Sequence, residues 1–233
     1  MADTIKRVMV VVAHPDDAEF GCGGTVSKWT RRGKEVVYVI VTNGDKGSDD
    51  RSMTSERLAK IRIEEQRNAA RTLGVASVEF LGYRDCELED TREVRRDVTA
   101  QIRRWRPDRI VAQYPHRTLN LYASHRDHRT AGSIVLDCVY PLARDHLAFP
   151  ELLAQGLEPH KVREVYVMWG DGAEVVEDVS DTMKLKLKAL ACHASQFEEF
   201  AQVEARVLER AAMLGMEKGF AYAEVFQRIV LPH

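Results

Sequence analysis

The chain has 233 residues, a length that predicts one domain spanning residues 1–233. Hydrophobic residues make up 45% and charged residues 30% of the chain, which is typical of a globular protein with a full hydrophobic core. The formal net charge is −2 and no dense block of lysine and arginine occurs. This balance excludes nucleic acid and anionic membrane as the main partners.

The first residues and the cysteines indicate the cellular compartment. No basic segment followed by a long apolar run is visible, so neither a signal peptide nor a transmembrane helix is predicted. The four cysteines are scattered and form no C-x-x-C pair. We therefore expect free thiols in a reducing cytoplasm.

Short apolar runs alternate with longer, charged segments along the first half of the chain. Residues 8–12 and 36–41 are β-branched and apolar, as expected of strands that are buried on both faces. A helix is predicted at 25–32 with Gly33 as its stop, and another at 54–73 with Gly74 as its stop. Residues 43–50 form a loop by composition. A third strand at 78–81, a helix at 91–105 and a fourth strand at 109–113 follow.

The same alternation continues less clearly in the second half. The predicted elements are a helix at 126–140, a strand at 165–168, helices at 183–190 and 202–214, and a last strand at 225–230. Alternating strands and helices imply right-handed βαβ units. The predicted fold class is therefore α/β, a Rossmann-like, mainly parallel sheet with helices on both faces.

A short motif that could bind a metal or take part in catalysis follows the first predicted strand: His14, Pro15, Asp16 and Asp17. Ligands of open α/β sheets bind beyond the carboxyl ends of the strands, so polar residues at this point are placed for chemistry. Imidazole and carboxylate are good zinc ligands, and of two adjacent carboxylates one can bind metal while the other faces a metal-bound water. The alternative is that these residues merely cap the following helix.

A second polar group follows the fourth strand, with His125, Asp127 and His128 in the pattern H-x-D-H. It offers a third metal ligand, a further histidine, and an aspartate able to orient an imidazole. Combined with the first motif, it completes a set of two histidines and one aspartate with an open fourth position, as in catalytic zinc sites. In isolation, the same residues are also compatible with a solvated, charged turn.

The two motifs, Ala13-His14-Pro15-Asp16-Asp17 and His125-Arg126-Asp127-His128, resemble the hallmarks of the PIG-L/LmbE-like N-acetylglucosaminyl deacetylases. Shorter stretches that look like bacterial members extend the resemblance over most of the chain. One departure is Arg126, which stands where proline is frequent and alters the rim of the expected pocket. The resemblance also implies a Rossmann-like sheet and a homo-oligomer, often a hexamer.

The resemblance implies roles for individual residues. His14, Asp17 and His128 would bind Zn²⁺, Asp16 would be the general base, and His125 the second catalytic group, supported by Asp127. Two further residues match family positions. Arg62 falls where some members place a substrate-binding arginine, the alternative being a charge on a helix surface, and His193 is expected to pack or to line the rim of the pocket.

The expected function is that of a zinc-dependent hydrolase, which removes an N-acetyl group from an amino-sugar substrate of the N-acetylglucosamine type and releases acetate. Whether Asp16 or His125 protonates the leaving amine stays open. A zinc amidase acting on a thiol conjugate or another N-acyl compound is the alternative enzyme. A nucleotide-binding module, suggested by the glycines at 21, 23 and 24, is disfavoured because their spacing is not G-x-G-x-x-G.

Overall fold

The computed structural model describes residues 5–119, 121, 124–170 and 172–232. Its strands are β1 (Arg7–Val12), β2 (Glu35–Thr42), β3 (Ser77–Tyr83), β4 (Arg109–Gln113), β5 (Glu164–Met168), β6 (Val175–Asp178) and β7 (Ala223–Val230). Its α-helices are α1 (Asp17–Arg31), α2 (Ser55–Leu73), α3 (Arg92–Trp105), α4 (Arg126–Val139), α5 (Pro150–Leu153), α6 (Met183–Leu190) and α7 (Phe200–Met216). No helix in this part of the chain is long and apolar enough to cross a membrane.

The strands form a seven-stranded sheet in the order β3-β2-β1-β4-β5-β7-β6. Neighbouring strands from β3 to β5 run parallel, whereas β7 is antiparallel to both β5 and β6. The order reverses between β1 and β4, which is the arrangement of doubly wound Rossmann-like sheets. The predicted fold class is confirmed.

Successive residues of the central strands point into two separate cores, because side chains alternate across a strand. Met9 and Val11 of β1 join the core formed with α3 and α4. Val8, Val10 and Val12 join the opposite core, formed with α1 and α2. The unbroken apolar run of β1 is thus explained by the helices that cover both faces of the sheet.

Helix α1 begins eight residues earlier than the predicted start at residue 25, in a glycine-rich stretch that carries little helix propensity. The glycines are needed for close packing. A Cβ on Gly21 would lie 2.3 Å from Met168 Sδ, and a Cβ on Gly24 would lie 2.8 Å from Val179 Cβ. These residues therefore bring α1 against neighbouring elements and give no support to a nucleotide-binding loop.

Helix α1 is kinked at Cys22, where φ is −147° and ψ is 16°. Beyond the kink, Glu224 of β7 accepts hydrogen bonds from the backbone N–H groups of Gly24 (3.0 Å) and Thr25 (2.7 Å). Lys186 of α6 donates to Glu224 Oε1 (2.6 Å) and to the carbonyl of Phe20 (2.8 Å). The backbone groups freed at the kink are thus paired by a buried ion pair from two later elements.

The second half of the sheet differs from the expectation in one respect. Strand β6 was not predicted, and it forms the edge of the sheet beside β7. Its four residues are only partly buried and include two acids, so neither the length nor the apolar run of a buried strand is present.

Candidate metal centre

The motif residues meet at the carboxyl ends of β1 and β4, where the strand order reverses. His14 follows β1 after one residue, and His125 is the N-cap of α4, which follows β4 along the chain. Asp85 joins them from the segment after β3. The crevice at this reversal is the usual ligand site of doubly wound sheets.

Asp17 lies between two histidine rings. Its Oδ1 is 3.0 Å from His128 Nε2, and its Oδ2 is 3.4 Å from His14 Nδ1. Oδ2 also accepts hydrogen bonds from the side chain of Gln113 (3.0 Å) and from the backbone N–H of His14 (2.8 Å). Burial opposes ionisation, but the contacts with His128 and His14 outweigh it and lower the pKa of Asp17 well below its ordinary value.

The other ring nitrogen of His14 faces two carboxylates that are buried. Nε2 lies 2.9 Å from Asp85 Oδ1 and 3.4 Å from Asp127 Oδ2. Burial lowers the pKa of His14, but hydrogen bonds to Asp127, Asp17 and Asp85 outweigh it and raise that pKa well above its ordinary value. If the ring proton is on Nε2 and is donated to these carboxylates, Nδ1 is free to bind a metal. A carboxylate that accepts the second ring N–H is the usual support of a metal-binding histidine.

The residues fit a divalent cation by chemistry and by spacing. Ligand atoms around a tetrahedral zinc lie about 3.3 Å apart when the bonds are about 2.0–2.1 Å long. The 3.4 Å from Asp17 Oδ2 to His14 Nδ1 and the 3.0 Å from Asp17 Oδ1 to His128 Nε2 are each close to this value, although the two histidines contact different oxygens of the carboxylate. Ring nitrogens of His14, His125 and His128 also lie within 4.8 Å of one another, so a set of three histidines is the competing arrangement.

Asp16 has a left-handed backbone conformation, with φ of 84°, at the N-cap of α1. Its N–H donates to Gln66 Oε1 (2.9 Å), and its Oδ2 lies 3.3 Å from Arg62 Nη2. This turn directs the carboxylates of Asp16 and Asp17 to different partners. Burial, against the opposing attraction of Arg62, raises the pKa of Asp16 to about 6, a value suited to a general base near neutral pH.

Arg62 is not a helix-surface charge, because its side chain is buried at the end of the crevice. The guanidinium donates to the carbonyls of Pro15 (2.8 Å) and Gly44 (3.2 Å). It also lies 3.8 Å from Asp85 Oδ2. Through these contacts Arg62 holds the turn that carries Asp16, and its direct contact with the substrate stays a prediction.

His125 and Asp127 have a different relation from the one expected. The carboxylate of Asp127 contacts His14 and accepts from the N–H of Cys86 (2.7 Å), while the backbone N–H of Asp127 donates to His125 Nδ1 (3.2 Å). Because His125 caps α4, its Nδ1 is an acceptor and its ring proton lies on Nε2. Burial and the neighbouring rings of His14 and His128 lower the pKa of His125.

His193 packs in the interior, one of the two roles expected for it, and it does not line a rim. Its Nε2 lies 3.2 Å from Glu19 Oε2, and both side chains are fully buried. Glu19 in turn accepts from Gln66 Nε2 at 3.0 and 3.1 Å. A buried chain of polar groups thus runs from His193 to the backbone of Asp16.

Sequence reasoning missed three buried partners of the motif residues: Asp85, Gln113 and Gln66. Asp85 and Gln113 lie near the carboxyl ends of β3 and β4, so the rule that singled out His14 could have drawn attention to both. Gln66 lies in the middle of a helix and gives no such signal.

Comparison with known proteins agrees with this geometry. Residues 9–139 match the PIG-L family model, described as GlcNAc-PI de-N-acetylase. The diacetylchitobiose deacetylase of Thermococcus kodakarensis is 35% identical over 222 residues, which cover 94% of this chain and 82% of that protein. A probable N-acetyl-alpha-D-glucosaminyl L-malate deacetylase 2 of Bacillus anthracis is 29% identical over 197 residues, covering 82% of each chain.

A solved structure extends the likeness to three dimensions. The N,N'-diacetylchitobiose deacetylase of Pyrococcus horikoshii superposes with a TM-score of 0.91 and 34% identity, over 97% of this chain and 85% of that one. The match to the family model covers more than half of the 233 residues. The resemblance seen in the two motifs is therefore confirmed, and the chain belongs to the PIG-L family of GlcNAc de-N-acetylases.

Proposed function

We propose that this protein is a zinc-dependent deacetylase that removes the N-acetyl group from an amino sugar of the N-acetylglucosamine type. The observation that carries the proposal is the contact of Asp17 with His14 Nδ1 and His128 Nε2, beside the partly buried carboxylate of Asp16. Relatives that are named as deacetylases of diacetylchitobiose and of glucosaminyl malate support the substrate class.

The proposed metal ligands are His14, Asp17 and His128. A zinc ion bound by this set would lower the pKa of a water molecule and polarise the acetyl carbonyl. Asp85 and Asp127 keep the Nε2 proton of His14 in place, and Gln113 fixes the orientation of the Asp17 carboxylate. The protein thus presents its donor atoms already oriented.

Asp16 accepts the proton of the attacking water in this proposal. Its carboxylate is held by Arg62 and its N–H by Gln66, so it needs little rearrangement to act. His125 offers Nε2–H as a hydrogen-bond donor to the acetyl oxygen, where negative charge develops. With His125 neutral, the proton taken up by Asp16 is the one available for the leaving amine, which favours Asp16 as the donor.

The test is a measurement of acetate released from N,N'-diacetylchitobiose, N-acetylglucosaminyl malate and N-acetylglucosaminyl inositol by the zinc-loaded protein. We expect turnover of at least one of these compounds and loss of that turnover after chelation. An N-acyl thiol conjugate without a sugar tests the alternative amidase. Release from this conjugate alone, or turnover that is unchanged after complete removal of the metal, would contradict the proposal.

A further inference from the structure

The loop after β3 brings an exposed cysteine to the mouth of the metal centre. Cys86 Sγ lies 3.8 Å from His125 Nε2. One donor atom from each of Asp85, Cys86 and His125 lies within 4.8 Å of the other two. We propose that these three residues form a second cation site, separate from the set of His14, Asp17 and His128, which binds a thiophilic divalent cation such as Cd²⁺ or excess Zn²⁺.

The backbone of this loop is fixed in the orientation that the site requires. Cys86 has φ of 63°, a left-handed conformation that is unfavourable for a residue other than glycine. Its N–H donates to Asp127 Oδ2 (2.7 Å), and its carbonyl accepts from Arg126 Nη1 (3.1 Å). The backbone that carries the thiol is therefore held by hydrogen bonds to α4, the helix that His125 caps.

The donor atoms suit a soft cation. Sulfur and imidazole nitrogen on a tetrahedral zinc lie about 3.6 Å apart, given bonds of about 2.3 Å to sulfur and 2.0–2.1 Å to nitrogen. The observed 3.8 Å between Cys86 and His125 requires little adjustment. The carboxylates of Asp85 and Asp127 add negative charge beside the thiol. When the cation binds, the sulfur–metal bond forms and the thiol proton passes to solvent, while the ring proton of His125 moves from Nε2 to Nδ1 and the hydrogen bond from the N–H of Asp127 is broken.

A cation bound at this second site would inhibit the enzyme. It would occupy Nε2 of His125, the atom that donates to the acetyl oxygen in the proposed mechanism, and it would stand in the path of the substrate. This consequence rests on the proposed function, whereas the binding of the cation does not. The site therefore predicts inhibition by excess Zn²⁺ and by lower concentrations of Cd²⁺, since thiolate favours softer metals.

The experiment is a titration of the zinc-loaded protein with Cd²⁺. Binding is measured by the ultraviolet charge-transfer absorption of the cadmium–thiolate bond. The proposed catalytic ligands contain no sulfur, so replacement of the zinc by cadmium gives no such absorption. We expect about one equivalent of signal in the wild type and none in Cys86→Ser. The matched control is Cys192→Ser, because Cys192 is the other cysteine that is not fully buried, and this variant should keep the signal.

Two further measurements complete the test. Bound Cd²⁺ should protect Cys86 of the wild-type protein from alkylation by iodoacetamide, a readout that needs no variant. His125→Ala should weaken the binding of Cd²⁺ at least about tenfold, since loss of even an outer partner weakens metal sites by about 10–100-fold. Any one of four results would overturn the proposed site. These are no cadmium–thiolate absorption in the wild type, an unchanged absorption in Cys86→Ser, equal alkylation with and without Cd²⁺, and an unchanged affinity for Cd²⁺ in His125→Ala. These readouts need no substrate, so they stand apart from the acetate assay.

Discussion

Asp16 and Asp17 are neighbours in the chain, yet the left-handed turn at Asp16 gives them different partners. Asp17 contacts the rings of His14 and His128, whereas Asp16 lies against Arg62. At the scale of single residues, this division predicts that substitutions of adjacent positions have different effects on metal content and on turnover.

Metal content should separate the three proposed ligands from His125. We expect His14→Ala, Asp17→Ala and His128→Ala each to lose most of the zinc, because each removes one of three donors. His125→Ala is the matched control from the same motif and should retain about one zinc per chain while losing most of its turnover. Elemental analysis of the purified variants measures this. Loss of zinc from His125→Ala together with retention in Asp17→Ala would point to the set of three histidines.

Asp16→Asn should retain zinc and lose turnover. The substitution keeps the shape of the side chain but removes the basic carboxylate, and a general base is worth roughly 10²–10⁴-fold in rate. Steady-state acetate release, measured beside metal content, tests the assignment. Near-normal turnover at full zinc content would show that Asp16 is not the base.

At the scale of elements, helix α2 holds the turn that carries Asp16 through two side chains that lie one helical turn apart. Arg62 binds the carbonyl of Pro15 and the carboxylate of Asp16, and Gln66 accepts the N–H of Asp16. Residues four apart share one helix face. The position of α2 against β1 therefore determines the conformation of Asp16.

Arg62→Lys distinguishes a positioning residue from a substrate-binding one. The lysine keeps the positive charge but cannot make the forked contacts with Pro15 and Gly44. We expect kcat to fall by about 10–100-fold, the range typical of residues that support a metal site, with KM little changed. Thr72→Ala, on the exposed part of the same helix, serves as a control for changes in α2 itself. A raised KM with unchanged kcat would instead indicate direct contact with the substrate.

The segment after α6 is attached to α1 through His193 and Glu19, and this attachment should depend on pH. Burial lowers the pKa of His193, but its hydrogen bond to Glu19, helped by the charges of Asp16 and Glu65, raises it above its ordinary value. A group whose pKa is raised on folding stabilises the protein below its unfolded pKa of about 6.5, and that contribution is lost as the pH rises through the folded pKa.

His193→Gln should remove this dependence, because glutamine can still donate to Glu19 but does not titrate. Thermal unfolding measured from pH 6 to pH 9 should show a smaller loss of Tm in the variant than in the wild type. His146→Gln, at an exposed histidine, is the matched control and should behave as the wild type does. Equal slopes for wild type and His193→Gln would contradict the role of His193.

At the scale of the whole molecule, the central strands could be predicted from sequence because burial on both faces produces continuous apolar runs. The predicted strand at 109–113 has the observed bounds, and Gly74 ends α2 in the expected left-handed conformation. The start of α1 could not be predicted, since its glycines are selected by tertiary packing against Met168 and Val179. Local propensity carries no information about such contacts.

The same limit applies to the candidate site, where residues within a motif could be predicted and their partners from distant elements could not. The two motifs supply His14, Asp16, Asp17, His125 and His128, which the structure brings to one crevice. The partners that orient them come from elements distant in sequence and have no motif of their own. Asp127 shows the limit, because the motif predicts it as the support of His125, two residues earlier, whereas the turn into α4 directs its carboxylate to His14 and only its backbone N–H to His125. The homo-oligomer stays a prediction, which light scattering in solution can measure.

The pairing of α1 with Glu224 has a consequence for the order of events during synthesis. Glu224 accepts the N–H of Gly24 from a position 200 residues later in the chain. While the ribosome is still making the intervening residues, the N–H groups of Gly24 and Thr25 can pair only with water, so the kinked form of α1 lacks this support. We therefore expect α1 to reach its folded position, and the proposed metal site to form, only after β7 has emerged from the ribosome tunnel.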